Sequence, residues 1–108
     1  MFKEIKATFD VVGLTHNGNE YHYHFVIERK ESGAFRYGDH SCHTLVIYDL
    51  NGKYLNDYLF DTRYDHISTH KPNWIKVWKD YINENWLHVR SIEVIEYEEK
   101  EVEERKDK

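Results

Sequence analysis

ATFDVVGLTHNGNEYHYHFVIER, residues 7–29, carries the decision about the fold. Upstream and through its first half, Ile5, Ala7, Phe9 and Val11 alternate with Lys6, Thr8, Asp10 and Val12, and residues 21–29 alternate again. A period of two is the signature of a strand with one buried face. Between the two runs stand Asn17, Gly18 and Asn19, residues that accept a positive φ cheaply, so the stretch predicts an antiparallel hairpin. Its register follows from the loop length. A two-residue loop at Asn17 and Gly18 puts Phe9 and Val11 on the face of His24 and Val26. A three-residue loop, 17–19, sets Phe9 opposite Ile27 and Val11 opposite Phe25. One residue of slip exchanges the faces, and only the second choice makes a coherent apolar one. His22 and His24 then share the other face with Asp10, Val12 and Leu14.

Working outward, residues 31–41 read as a loop containing Gly33 and Gly38. Residues 43–50 are a third strand, apolar on both faces, which predicts an inner position in the sheet. Asn51 and Gly52 between Leu50 and Lys53 signal a second hairpin, with a fourth strand over 54–60. Residues 61–71 are polar connecting chain. Pro72 disfavours helix at Lys71 and suits a first helical turn, for which Ser68 or Thr69 is the expected cap. Over residues 74–86 the spacing turns helical. Trp74, Trp78 and Ile82 form one row, Ile75, Val77 and Tyr81 lie beside it, and Lys76, Lys79, Asp80 and Asn83 take the other side. Asn85 is the expected left-handed stop. Residues 87–97 read as a last strand whose alternation changes phase near Ser91, predicting a bulge. Glu96 with Lys100, Glu101 with Arg105 and Glu104 with Lys108 have helix-supporting spacing, so residues 98–108 read as a charged tail, frayed or extended as helix. The whole predicts a single α+β domain over 1–97 in the order β-β-β-β-α-β. It is two-layered, a mostly antiparallel twisted sheet of about five strands with one helix across one face.

Composition narrows the class. A chain of 108 residues is one domain, and its nine Tyr, five Phe and three Trp supply much of the apolar area that a small core needs. A single cysteine excludes an internal disulfide. MFKEIKATFD holds no apolar core of a secretion signal, and no apolar run approaches the roughly 18 residues of a membrane span, so a cytoplasmic protein without membrane contact is expected. Of the net charge of −5, the last thirteen residues carry −3. The body is close to neutral and lacks the basic excess that neutralises phosphates along a duplex, so direct nucleic-acid binding is not expected. Forty residues are Phe, Tyr, Met, Ile, Asn or Lys against thirteen Ala, Gly, Pro or Arg, the usage of an AT-rich gene such as those of low-GC bacteria and their phages.

Three places carry candidate chemistry. RYGDHSCHTL, residues 36–45, holds His40, Cys42 and His43. Three soft ligands so crowded do not easily share one ion, a second half would have to come from His66 and His70, and neighbours on a strand point to opposite faces, which separates Cys42 from His43 as a nucleophile and base. His22 and His24, two apart on a strand, share a face and make a usable metal pair, with Asp10 diagonal to His24. Residues 60–74 gather Asp61, Arg63, Asp65, His66 and His70 ahead of a helix N-terminus. There an imidazole base and a guanidinium make a minimal hydrolase or nuclease kit. No Gly-rich phosphate loop, nucleophile elbow or HExxH motif is present, and no cofactor is expected.

The surplus of Tyr and Trp favours a non-enzymatic protein-interaction module over these alternatives, since such residues are enriched at binding hot spots. The candidate contact residues are Tyr37, Tyr54, Tyr64, Trp86 and Asp57. The expected partner is another protein, as in a phage- or mobile-element-encoded binder or inhibitor of a host protein, or a second copy in a homodimer. The alternatives are a hydrolase or nuclease using Asp61, Arg63, Asp65, His66 and His70, or a metal binder using His22 and His24 or His40 and His43.

Overall fold

The computed structural model describes residues 2–32, 43–60 and 73–102. Strands β1 (Phe2–Leu14), β2 (Glu20–Ser32), β3 (His43–Tyr48), β4 (Tyr54–Phe60) and β5 (Val89–Val102) form one sheet of order β4-β3-β2-β1-β5. Every neighbouring pair is antiparallel, and one helix, α1 (Trp74–Asn85), packs on one face. The α+β class, the element order and the inner position of β3 are as the sequence predicts.

Alternation places the core. Ile5, Ala7, Phe9, Val11, Phe25, Ile27, Leu45 and Ile47 are buried on the helix side, where Trp74, Val77, Trp78 and Ile82 close over them. The faces match the sequence expectation but the partners do not. Phe9 lies opposite Phe25, Val11 opposite Tyr23 and Asp10 opposite His24, two residues away from the predicted register. The turn is responsible. Its loop is 16–18, closed by the Thr15 N–H donating to the Asn19 carbonyl (2.7 Å), with Gly18 N–H donating to the Thr15 carbonyl at φ 82°. The Thr15 hydroxyl accepts the Asn19 N–H at 3.2 Å. The β3–β4 turn repeats this design. Gly52, at φ 87°, donates to the Asp49 carbonyl, Asp49 N–H donates to the Lys53 carbonyl, and the Asp49 carboxylate accepts from Asn51 and Lys53. Both are three-residue hairpin loops with glycine in the left-handed third position.

The helix is set by different residues from those expected. Asn73 caps it, its Oδ1 accepting the Lys76 N–H at 3.3 Å, so the cap is neither Ser68 nor Thr69 and Pro72 stands ahead of it. Asn85 stays helical and donates its side-chain amide to the Tyr81 carbonyl, while the left-handed residue is His88 at φ 45°. β5 then runs the full length of β1, with Arg90 and Ile95 inserted as extra residues. The first insertion is the bulge expected near Ser91, and the second has no counterpart in the sequence reading. Residues 98–102, read as the start of a tail, are strand, and the pairing extends to Phe2 opposite Val102. The physical reason is β1 itself: the backbone groups on its outer side need partners from Phe2 to Gly13, and a strand rich in exposed Glu satisfies them without burying charge.

Tyr21 shows how tightly the first hairpin is packed. Its ring crosses the facing Gly13 and its hydroxyl donates to the Leu87 carbonyl at 2.9 Å, tying the hairpin to the connection ahead of β5. A Cβ at Gly13 would collide with that ring. Gly13→Ala is expected to lower stability by about 1–3 kcal/mol in urea denaturation. Burial also holds the phenols of Tyr21 and Tyr81 above the ordinary tyrosine value. The unfolded chain ionises near pH 10, so their contribution is intact below that pH and is lost as pH climbs through the raised folded values. Absorbance titration near the phenolate band with single Tyr→Phe variants is expected to show these two ionising late.

Candidate functional sites

Arg29, His43 and Phe60 face one another across β2, β3 and β4, and α1 begins above them. His43 is 0% exposed and Arg29 5%. The Trp78 indole N–H donates to His43 Nδ1 at 3.0 Å, and Arg29 Nη1 lies 3.0 Å from Nε2. Both neighbours can only donate, and a neutral imidazole has one lone pair, so no tautomer accepts from both at once. His43 stacks on Phe60 at 4.9 Å between centroids, and the Arg29 guanidinium lies 4.3 Å from the Trp74 ring centre. The Trp74 indole N–H is buried without a hydrogen-bond partner. The imidazole is thus enclosed, with each ring nitrogen facing a protein donor.

The opposite face of the sheet carries the second group. Because Asp10 lies directly opposite His24, its Oδ1 receives His22 Nε2 at 2.6 Å and stands 3.4 Å from His24 Nε2. The three side chains are about one-quarter to two-fifths exposed. The histidine pair predicted from spacing therefore exists, with the aspartate closer than predicted. Its geometry is that of a carboxylate shared by two imidazoles, and among the described residues no three His, Cys, Asp or Glu are placed to hold a metal ion.

The third group is the β4 edge. Tyr54 is 52% exposed and Asp57 is exposed. The Asp57 carboxylate beside the Tyr54 hydroxyl holds that phenol above its ordinary value. Trp86 differs from expectation: it is half-buried, edge-on to Phe25 at 4.9 Å and against Tyr58 and Tyr81, because it ends the helix over the sheet. Sequence reasoning missed Leu50, Leu55, Tyr58 and Leu59, which are exposed beside Tyr54. The signal was present as a seven-residue strand with one charge, but its place at an edge was not.

Tyr37, His40, Cys42, Asp61, Arg63, Tyr64, Asp65, His66 and His70 lie outside the described residues. No family model, curated protein or solved structure matches the chain. Among the described residues no helix is long and apolar enough to cross a membrane.

The two polar groups should respond differently to substitution. Trp78→Ala is expected to cost about 3–5 kcal/mol, and Trp78→Phe, which keeps most of the ring and removes the donor, about 1–2 kcal/mol. Asp10→Ala is expected to cost less than about 1 kcal/mol, because its ion pairs are partly solvated. Urea denaturation of the three variants measures the order.

Proposed function

We propose that the chain is a non-enzymatic protein-interaction module that binds an extended segment of a partner protein along the β4 edge, with a Lys or Arg of that segment near Asp57. The observation that carries the reading is the exposure of Leu50, Tyr54, Leu55, Tyr58 and Leu59, the last 72% exposed, distributed over both faces of an edge strand and its turn, with Leu55 inserted as a bulge and Asp57 the only charge of the strand. Exposed apolar edge strands pair with further strands, and natural sheets suppress this with charge. The opposite edge, β5, is defended in that way by seven charged residues in fourteen, whereas β4 is not.

Two details narrow the partner. Asp57 is the middle residue of β4, so a second copy paired antiparallel about that centre would set two carboxylates face to face, which is unfavourable. A basic residue there is favourable. Asn56 Oδ1 already accepts the Asp57 N–H at 2.8 Å, so an incoming strand must replace this bond, which penalises casual pairing. Residue usage of an AT-rich gene and the lack of a spanning helix among the described residues support a cytoplasmic setting and a phage- or mobile-element-encoded binder or inhibitor of a host protein.

The test uses an acetylated seven-residue peptide of alternating Thr and Val with Lys at its centre, and a control with Glu there. The Lys peptide is expected to shift the amide resonances of residues 54–60 and to bind about fivefold more tightly than the Glu peptide. Leu59→Lys is expected to abolish binding with an unchanged circular dichroism spectrum. Equal affinity for both peptides, or no binding, overturns the reading. A dimer in sedimentation equilibrium that Leu59→Lys dissociates would instead assign the edge to a second copy.

A further inference from the structure

At the far edge of the sheet from β4, an open cleft of about 420 Å³ lies between the β1–β2 turn and the start of β5. Leu14, Thr15, His16, Gly18, His88, Val89 and Arg90 line it. The lining contains one arginine, two histidines and no carboxylate, in a chain of net charge −5. Among the described residues Arg90 pairs with no carboxylate. The backbone is distorted twice within three residues, each time at one of these basic side chains. His88 takes φ 45°, in the left-handed region that residues with a Cβ enter infrequently, Asn, Asp and His more often than the rest, and Arg90 is the inserted residue of a β-bulge. Bulges re-aim side chains, and sparsely populated backbone conformations cluster at ligand sites. The Leu14 N–H donates to the His88 carbonyl at 3.1 Å and fixes the two walls to each other.

From this juxtaposition we infer that the cleft binds a small organic phosphate monoester, its phosphoryl oxygens held by Arg90, His16 and His88 and its carbon skeleton lying on Leu14 and Val89. Arginine presents a fork of donors that matches phosphate oxygens, and histidine adds further donors. The volume falls within the range of small-ligand sites and accommodates a mononucleotide-sized molecule. A binding site here is independent of partner docking at β4, which lies across the sheet.

The test is a two-dimensional amide titration of the full chain with inorganic phosphate, adenosine 5′-monophosphate and adenosine. Both phosphates are expected to shift the amides of Gly18, His88, Val89 and Arg90 saturably, the nucleotide about tenfold more tightly than the inorganic ion. Adenosine alone is expected to have no saturable effect. Arg90→Gln is expected to weaken nucleotide binding by about tenfold or more. His88→Gly, which relieves the positive φ and cannot fail through added strain, is expected to leave the fold intact and weaken binding less than Arg90→Gln. Absence of saturable shifts up to about 20 mM, shifts that Arg90→Gln leaves unchanged, or adenosine matching the nucleotide would each overturn the assignment.

Discussion

Phe9 faces Phe25 across the β1–β2 pair, and that register governs what the other elements can do. It puts the odd-numbered side chains of residues 5–11 and 21–29 on one side, where Trp78 meets Phe9 edge-on at 6.3 Å and Trp86 meets Phe25 at 4.9 Å. A twelve-residue helix is about 18 Å long, whereas a thirteen-residue strand spans about 43 Å. One helix cannot cover such a sheet with small side chains. The aromatic richness of the chain answers that shortage: Phe60 stacks on Tyr81 at 3.8 Å, Tyr81 and Tyr58 flank Trp86, and large rings spread the cover from α1 to the β4 edge. Much of the aromatic content that the sequence offers as contact surface is therefore spent on closing the domain, and the exposed aromatics among the described residues are Tyr54 and Tyr58 on β4 and Tyr97 on β5.

The buried Arg29, His43 and Trp78 group is a costly way to fill the end of a core. Desolvating a guanidinium and setting two donors against one imidazole gives less stability than well-packed hydrocarbon of the same volume. What the arrangement supplies is direction. The Trp78 N–H reaches His43 Nδ1 in one rotational setting of α1, and turning the helix by one residue, about 100°, would strand both groups in an apolar interior. A single helix resting on a twisted sheet has few other constraints on its rotation, so a polar contact of this kind fixes which face is down.

The alternation of residues 5–11 and 21–29 was enough to assign faces, and the apolar rows at 74, 78 and 82 were enough to place a helix across them. Register was legible only to within two residues, because registers that differ by two bury the same side chains and are distinguished by the turn alone. The deciding features were Thr15 and Asp49, whose side chains accept N–H groups across three-residue loops, and nothing in periodicity reports on them. The cap at Asn73 was obscured by Pro72, which draws attention to the residues before it. The strand continuing to Val102 was hidden by its composition: a Glu-rich run reads as a tail until the length of β1 shows that it needs a partner. For the candidate sites, spacing correctly put His22 and His24 on one face, while the closeness of Asp10 depended on the register. The enclosure of His43 could not be foreseen, since it arises from Arg29, Phe60, Trp74 and Trp78, which are far apart in sequence.

The two edges of the sheet obey opposite rules, and the difference bears on what each can meet. β5 carries five Glu against Arg90 and Lys100, so a second β5 or any acidic strand is repelled along most of its length. Its longest stretch free of carboxylates is 89–92, and the cleft opens at the start of it. At physiological salt the field of the Glu residues beyond Ile92 is screened over about 8 Å, so it acts on neighbours of the cleft more than on its interior. A small anion can reach Arg90 and the two histidines while staying clear of the acidic strand. A polyanion such as a nucleic-acid strand would have to lay further phosphates along residues 93–101 and meet repulsion at successive positions. The same acidic edge that keeps the sheet from extending thus restricts the cleft, by charge and by size, to small anions.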